Sequence, residues 1–144
     1  MAQKQEFIER IRSFNRFYTN VIGLLDRRFL DTPFSLTEGR VLYEISHMEE
    51  CSARKIMEHI VIDEGYLSRI IHKFTRQDLI RKAPSPKDKR RHVIQLTEKG
   101  KKEFSKLNEN SDKLISELIE KLSDQEVEDL TRMMGRIYEL LDKD

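Results

Sequence analysis

Apolar residues at Phe7, Ile8, Ile11, Phe14, Phe17, Tyr18, Val21, Ile22, Leu25 and Phe29 recur at spacings of three and four. That period predicts a long amphipathic first helix. Asp31, Thr32 and Pro33 close it, because proline disfavours a helical residue before it. Ser35, followed three residues later by Glu38, reads as a capping box opening a second helix through Val41, Leu42, Ile45 and Met48. Ser52 offers an N-cap to a short third helix, with Ala53, Ile56, Met57 and Ile60 inward. Asp63 does the same for a fourth, whose stripe is Leu67, Ile70, Ile71 and Phe74.

The period then changes. Leu79–Ala83 and His92–Leu96 are short, β-compatible runs separated by the turn-rich segment Pro84–Arg91, which predicts a hairpin. Thr97 restarts helix, with Phe104, Leu107, Leu114, Ile115, Leu118 and Ile119 expected inward. A second capping box, Ser123 with Glu126, opens a last helix carrying Val127, Leu130, Met133, Met134, Ile137, Tyr138 and Leu141. The expected order is four helices, a hairpin and two helices, in a mainly α chain without internal repeats or linkers.

Composition narrows the class. A length of 144 residues suits one domain, and 37% charged residues with five Gly and three Pro suit a helix-rich protein. One cysteine, Cys51, cannot form an internal disulfide, which argues against a small secreted scaffold. No apolar run approaches the roughly 18 residues of a membrane span, and no basic-then-apolar signal segment follows Met1. The expected setting is cytoplasmic, with no membrane partner.

The net charge of +1 conceals a strong segregation. Residues 1–53 carry a net −1, residues 54–102 a net +8, and residues 103–144 a net −6. A basic middle between neutral and acidic ends fits a module that meets a polyanion. A run of charge is also what an ordinary solvated face looks like, so the position of the cations decides.

Two short helices joined by a tight turn, then a hairpin, have the layout of a winged helix-turn-helix, whose second short helix enters the DNA major groove. With Leu67, Ile70, Ile71 and Phe74 facing a core, Gly65, Arg69, His72 and Arg76 fall on the opposite face, flanked by Ser68 and Lys73. Arg69 can donate to a guanine edge or a phosphate. At the hairpin tip Lys87, Lys89, Arg90 and Arg91 crowd one turn with only Asp88 among them. Such mutually repelling cations contribute little to folding and suit an anion, as in a narrow minor groove.

Asp88-x-Arg90 followed by Leu96-Thr97-x-x-Gly100 resembles the wing signature of the MarR family of bacterial transcriptional regulators. The long first helix, the Leu36-Thr37 start of the second and the two acidic C-terminal helices fit the same pattern. The resemblance covers nearly the whole chain. It implies one domain over residues 1–144, in which 1–34 and 103–144 dimerise and 35–102 form the DNA-binding winged helix. It also implies a homodimer on a pseudo-palindromic operator in double-stranded DNA, usually a repressor released by a small, often phenolic, ligand. By motif match Arg90 is the minor-groove residue and Asp88 its positioning partner, with Ser68, Arg69 and Lys73 among the recognition-helix contacts.

Departures bound the carry-over. The peroxide-sensing branch keeps its reactive cysteine in the first helix, whereas Cys51 stands beside the Ser52 cap; a structural thiol is the expectation. His47 and Cys51 stand four apart with His59 eight further on, a weak ligand pattern, and the zinc-sensing branch places its ligands elsewhere, so no metal or other cofactor is expected. No Gly-rich phosphate loop or nucleophile elbow is present, so the chain is expected not to be an enzyme. Two alternatives are the regulatory half of a MarR–GNAT acetyltransferase fusion, whose catalysis would lie outside these residues, and a protein-interaction module. The latter calls for an apolar fourth helix, and the polar, basic face disfavours it.

Overall fold

The computed structural model describes residues 1–29 and 32–143, with no side-chain description for 24–29. The expected helix stop at Asp31 lies outside the described residues, as do the side chains of Leu25 and Phe29. The elements run α1 (Ala2–Phe29), α2 (Leu36–His47), α3 (Ala53–His59), α4 (Glu64–Arg76), β1 (Ile80–Pro84), β2 (His92–Leu96), α5 (Glu98–Ile119) and α6 (Asp124–Leu141). They fall into two compact units, Met1–Asn108 and Glu109–Asp144, with α5 beginning in the first and ending in the second.

The helix starts follow the sequence. Ser35 and Glu38 make a reciprocal capping box on α2, and Ser123 and Glu126 make one on α6. The Ser52 hydroxyl accepts from the Lys55 N–H, and the Asp63 carboxylate accepts from the Tyr66 N–H at 3.0 Å. Each cap satisfies a backbone donor that the first helical turn leaves without a partner.

In the first unit, Val41, Leu42 and Ile45 of α2, Ile56 of α3, and Leu67, Ile70 and Phe74 of α4 bury their side chains with Ile80 and Ile94 of the hairpin. Phe34 stands edge-on to Phe74, with centroids 6.0 Å apart. The hairpin is antiparallel, with Ile80 opposite Leu96 and Pro84 opposite His92. Met57, expected inward, turns out to be 38% exposed. A helix as short as α3 buries one narrow line, and Ile56 fills it.

Leu79 does not begin the strand. Asp78 takes a left-handed conformation (φ 59°), its N–H donates to the Thr75 carbonyl, and the Leu79 N–H reaches back to the Phe74 carbonyl. This is a Schellman cap, and Leu79 and Phe74 share the apolar contact that usually accompanies one. The Thr97 hydroxyl then accepts from the Gly100 N–H and donates to the Asp78 carbonyl at 2.6 Å, while the Thr97 N–H donates to the Leu79 carbonyl. A Cβ at Gly100 would sit 2.0 Å from the Leu79 oxygen. Leu96-Thr97-x-x-Gly100 is therefore the joint that fastens the start of α5 to the end of α4.

The second unit is the end of α5, a turn closed by the Leu122 N–H on the Ile119 carbonyl, and α6. Here the expectation of inward residues fails for Ile115 and Leu118, which are exposed, while Leu114 and Ile119 are half-buried. Two helices have too few neighbouring surfaces to cover both stripes. Met133, Met134, Ile137, Tyr138 and Leu141 of α6 are exposed as well. Within the first unit, α1 exposes Phe7, Ile11, Phe14 and Phe17, the last at 64%.

Candidate nucleic-acid interface

Helix α4 presents the polar face that its wheel predicts. Ser68, Arg69, His72 and Arg76 are exposed, opposite the buried Leu67, Ile70 and Phe74. The Arg69 guanidinium lies 5.8 Å from the centroid of the Tyr66 ring, one helical turn earlier. At an exposed site such a contact contributes about 0.5–1 kcal/mol, enough to bias the arginine toward one pose. Tyr66 went unnoticed in the sequence, although an aromatic and an arginine three apart on a helix is the spacing that would have revealed it.

Lys73 departs from the pattern. Its ammonium donates to Glu38 Oε2 at 2.7 Å, and it is half-buried where its neighbours on the face are exposed. The same carboxylate accepts from the Ser35 N–H through Oε1 at 3.0 Å. Glu38 is thus both the α2 cap and the link from α2 to α4. Burial alone would raise its pKa; the Lys73 hydrogen bond, the Ser35 N–H and the Lys73 charge together outweigh it and hold the carboxyl below its ordinary value. Lys73 reaches the same helix as the other cations with its charge already compensated.

The wing tip spans Ser85 to Arg91. Asp88 Oδ1 accepts from both the Arg90 N–H (3.0 Å) and the Arg90 Nε–H (3.3 Å), which orients the guanidinium stem. The Arg90 side chain is nevertheless 92% exposed. Lys87, Lys89 and Arg91 stand beside it, all three exposed, while Asp88 is half-buried. An ion pair as open as Asp88–Arg90 contributes little to stability, so Asp88 steers the arginine without neutralising its outward surface. Under the tip, Ser85 is buried and hydrogen-bonded to Glu50 of the α2–α3 turn. Neither residue stands out in the sequence.

Cys51 is buried, and its thiol is pushed up to about 11, first by burial and then by the Glu44 carboxylate. That is the environment of an inert structural thiol, not of a reactive one. His47 stacks on Tyr43 with centroids 4.0 Å apart, and His59 Nδ1 lies 3.1 Å from Glu44 Oε2. His59 and Cys51 thus both have Glu44 nearby, while His47 is engaged with Tyr43. Among the described residues no group of three or more His, Cys, Asp or Glu is placed to hold a metal ion, and no helix is long and apolar enough to cross a membrane.

Residues 34–92, from the start of the helix-turn-helix into the second wing strand, match the model of the MarR family. The chain is 26% identical over 131 residues to the HTH-type transcriptional repressor IacR of Pseudomonas putida, covering 91% of this chain and 76% of that protein. Its fold superposes on a MarR family protein from Bacillus stearothermophilus with a TM-score of 0.82, over 96% of this chain and 98% of that one at 14% identity. It also superposes on CouR of Rhodococcus jostii RHA1, solved bound to p-coumaroyl-CoA, with a TM-score of 0.69 at 18% identity, covering 85% and 87% of the two chains.

Proposed function

We propose, from the match of residues 34–92 to the MarR family model, that the chain is a MarR family ligand-responsive repressor that binds a pseudo-palindromic operator as a homodimer. The observation that carries the reading is the wing: a tip of four cations whose central arginine is aimed by Asp88 yet left open to solvent. In this reading α4 enters the major groove and Arg69, His72, Arg76 and Ser68 meet base edges and phosphates. Arg90 enters the flanking minor groove, with Lys87, Lys89 and Arg91 on phosphates. Lys73 sets the pose of α4 from behind. No step of this work is enzymatic.

The uncovered apolar stripes on α1 and α6 support the assembly. Contiguous apolar surface of that kind on a chain this highly charged marks an interface, and a second copy supplies the same stripes across a two-fold axis. Residues 1–34 and 103–144 would then dimerise and 35–102 bind DNA. An effector is supported by the likeness to CouR, which was solved bound to p-coumaroyl-CoA. The proposed setting is the cytoplasm, where the DNA is.

The test is the salt dependence of binding to a duplex recovered from a random pool. Arg90→Ala should leave the thermal midpoint within the roughly ±0.5 kcal/mol of a surface change. It should flatten the slope of log affinity against log salt by about 0.9 for each phosphate that a chain no longer neutralises. Light scattering should give twice the 17.2 kDa chain mass. Unaltered affinity and slope in Arg90→Ala would remove the wing from the DNA, and a monomer would remove the dimer.

A further inference from the structure

The wing is held to the helix-turn-helix by one turn, Glu50–Cys51, and by both of its strands. On the β2 side the Ile94 N–H donates to the Cys51 carbonyl at 2.9 Å. On the β1 side the Ser85 hydroxyl, directly after the strand, donates to the Glu50 carboxylate. The same hydroxyl accepts from the Lys87 N–H at 3.1 Å and the Asp88 N–H at 3.3 Å. The Ser85 N–H donates to the Arg91 carbonyl, and the Arg91 N–H donates to the Asp88 carbonyl. A single side chain, 1% exposed, thus gathers the first half of the tip and connects it to a residue outside the wing. Glu50 itself holds a left-handed backbone (φ 54°), which a non-glycine residue keeps where its surroundings fix it.

The chain of hydrogen bonds ends on the arginine. Glu50 holds Ser85, Ser85 holds the Asp88 backbone, and Asp88 orients Arg90. We propose that Glu50 and Ser85 are positioning residues for DNA recognition: the Glu50 carboxylate, acting through the Ser85 hydroxyl, sets the pose in which the wing offers Arg90. The proposal rests on the reading of the chain as a DNA-binding protein. It makes a prediction that charge alone would reverse. Glu50 is an acid on the element that anchors the basic wing, so a polyanion should bind more tightly once its charge is gone. Positioning predicts that removal of the carboxyl group loosens the wing and weakens binding.

Glu50→Ala and Glu50→Gln separate the two, because both remove the same charge and only glutamine keeps an oxygen that can accept from Ser85. Binding would be measured by anisotropy on a labelled duplex recovered from a random pool, with A-tract and G·C flanks. Glu50→Ala should bind roughly three- to tenfold more weakly than Glu50→Gln, the scale of one neutral hydrogen bond, with the gap largest on A-tract flanks. A second readout needs no DNA. Amide hydrogen exchange at Lys87 and Asp88 should accelerate several-fold in Glu50→Ala and in Ser85→Ala, with exchange in α2 and α4 unchanged. Unchanged exchange at those two amides in both variants overturns the clamp. Faster exchange with equal binding by Glu50→Ala and Glu50→Gln overturns the positioning role. A wild-type chain that binds no duplex, its wing amides responding as expected, overturns the DNA reading and the recognition role with it.

Discussion

Replacing Lys73 by methionine removes an ammonium from α4 while keeping most of its length and apolar stem. Viewed as one of several cations on α4, Lys73 should be worth a phosphate interaction. The geometry says otherwise, because its charge is spent on Glu38 at 2.7 Å, the two side chains being 41% and 11% exposed. Breaking a fully buried pair costs about 3–5 kcal/mol; the open lysine end brings water and salt to this one, which lowers the loss to about 1–2 kcal/mol. For a chain of this size that is a fall in Tm of roughly 3–8 °C. The loss should depend on pH with a definite sign. In the wild type the Glu38 pKa lies below the ordinary 4.5, so its contribution is present above that value and disappears as pH falls through the folded pKa. Without Lys73, burial is opposed only by the Ser35 hydrogen bonds and the carboxyl pKa moves upward, so the charged form contributes less stability at neutral pH. The stability gap between the two proteins should therefore be widest near neutrality and close as pH drops below about 4.5. Thermal melts across that range measure it, alongside the salt slope of DNA binding, which should stay unchanged. A pH-independent gap would mean that Lys73 acts by packing alone. A slope flattened by about 0.9 per chain would place its ammonium on a phosphate.

Two further outcomes follow from the fold. Gly100→Ala should lower stability by about 3 kcal/mol, read as a shifted denaturant midpoint, because the obstacle at 2.0 Å is the Leu79 carbonyl and backbone yields poorly; an unshifted midpoint would show that the α4–α5 joint has slack. Cys51 should react with a maleimide far more slowly in the native protein than in urea at neutral pH, and equal rates would contradict its burial. Since burial raises the thiol from 9.0 to about 11, its contribution to stability is intact below pH 9 and should fade as pH climbs from 9 toward 11.

Much of the fold was legible in the sequence because its determinants are local. A period of 3.6 fixes which side chains share a face, so the buried line Leu67, Ile70, Phe74 and the polar line Arg69, His72, Arg76 could be read together. Each of these N-caps joins groups three residues apart, which is why Ser35, Ser52, Asp63 and Ser123 could be assigned from the chain alone. The wing, too, announced itself as a knot of cations between two strand-like runs. What the period could not supply was an occupant for each face. Met57, Ile115 and Leu118 have the right spacing for a core and lie exposed, because burial depends on what arrives opposite. The capping residue Glu38 acquires Lys73 from 35 positions away, and Glu50 acquires Ser85 across the same separation. Neither pairing leaves a mark in the local pattern. Tertiary packing alone paired one cation of the basic α4 face with a carboxylate and anchored the wing that carries four more, since contacts between distant segments form only where the fold brings them together.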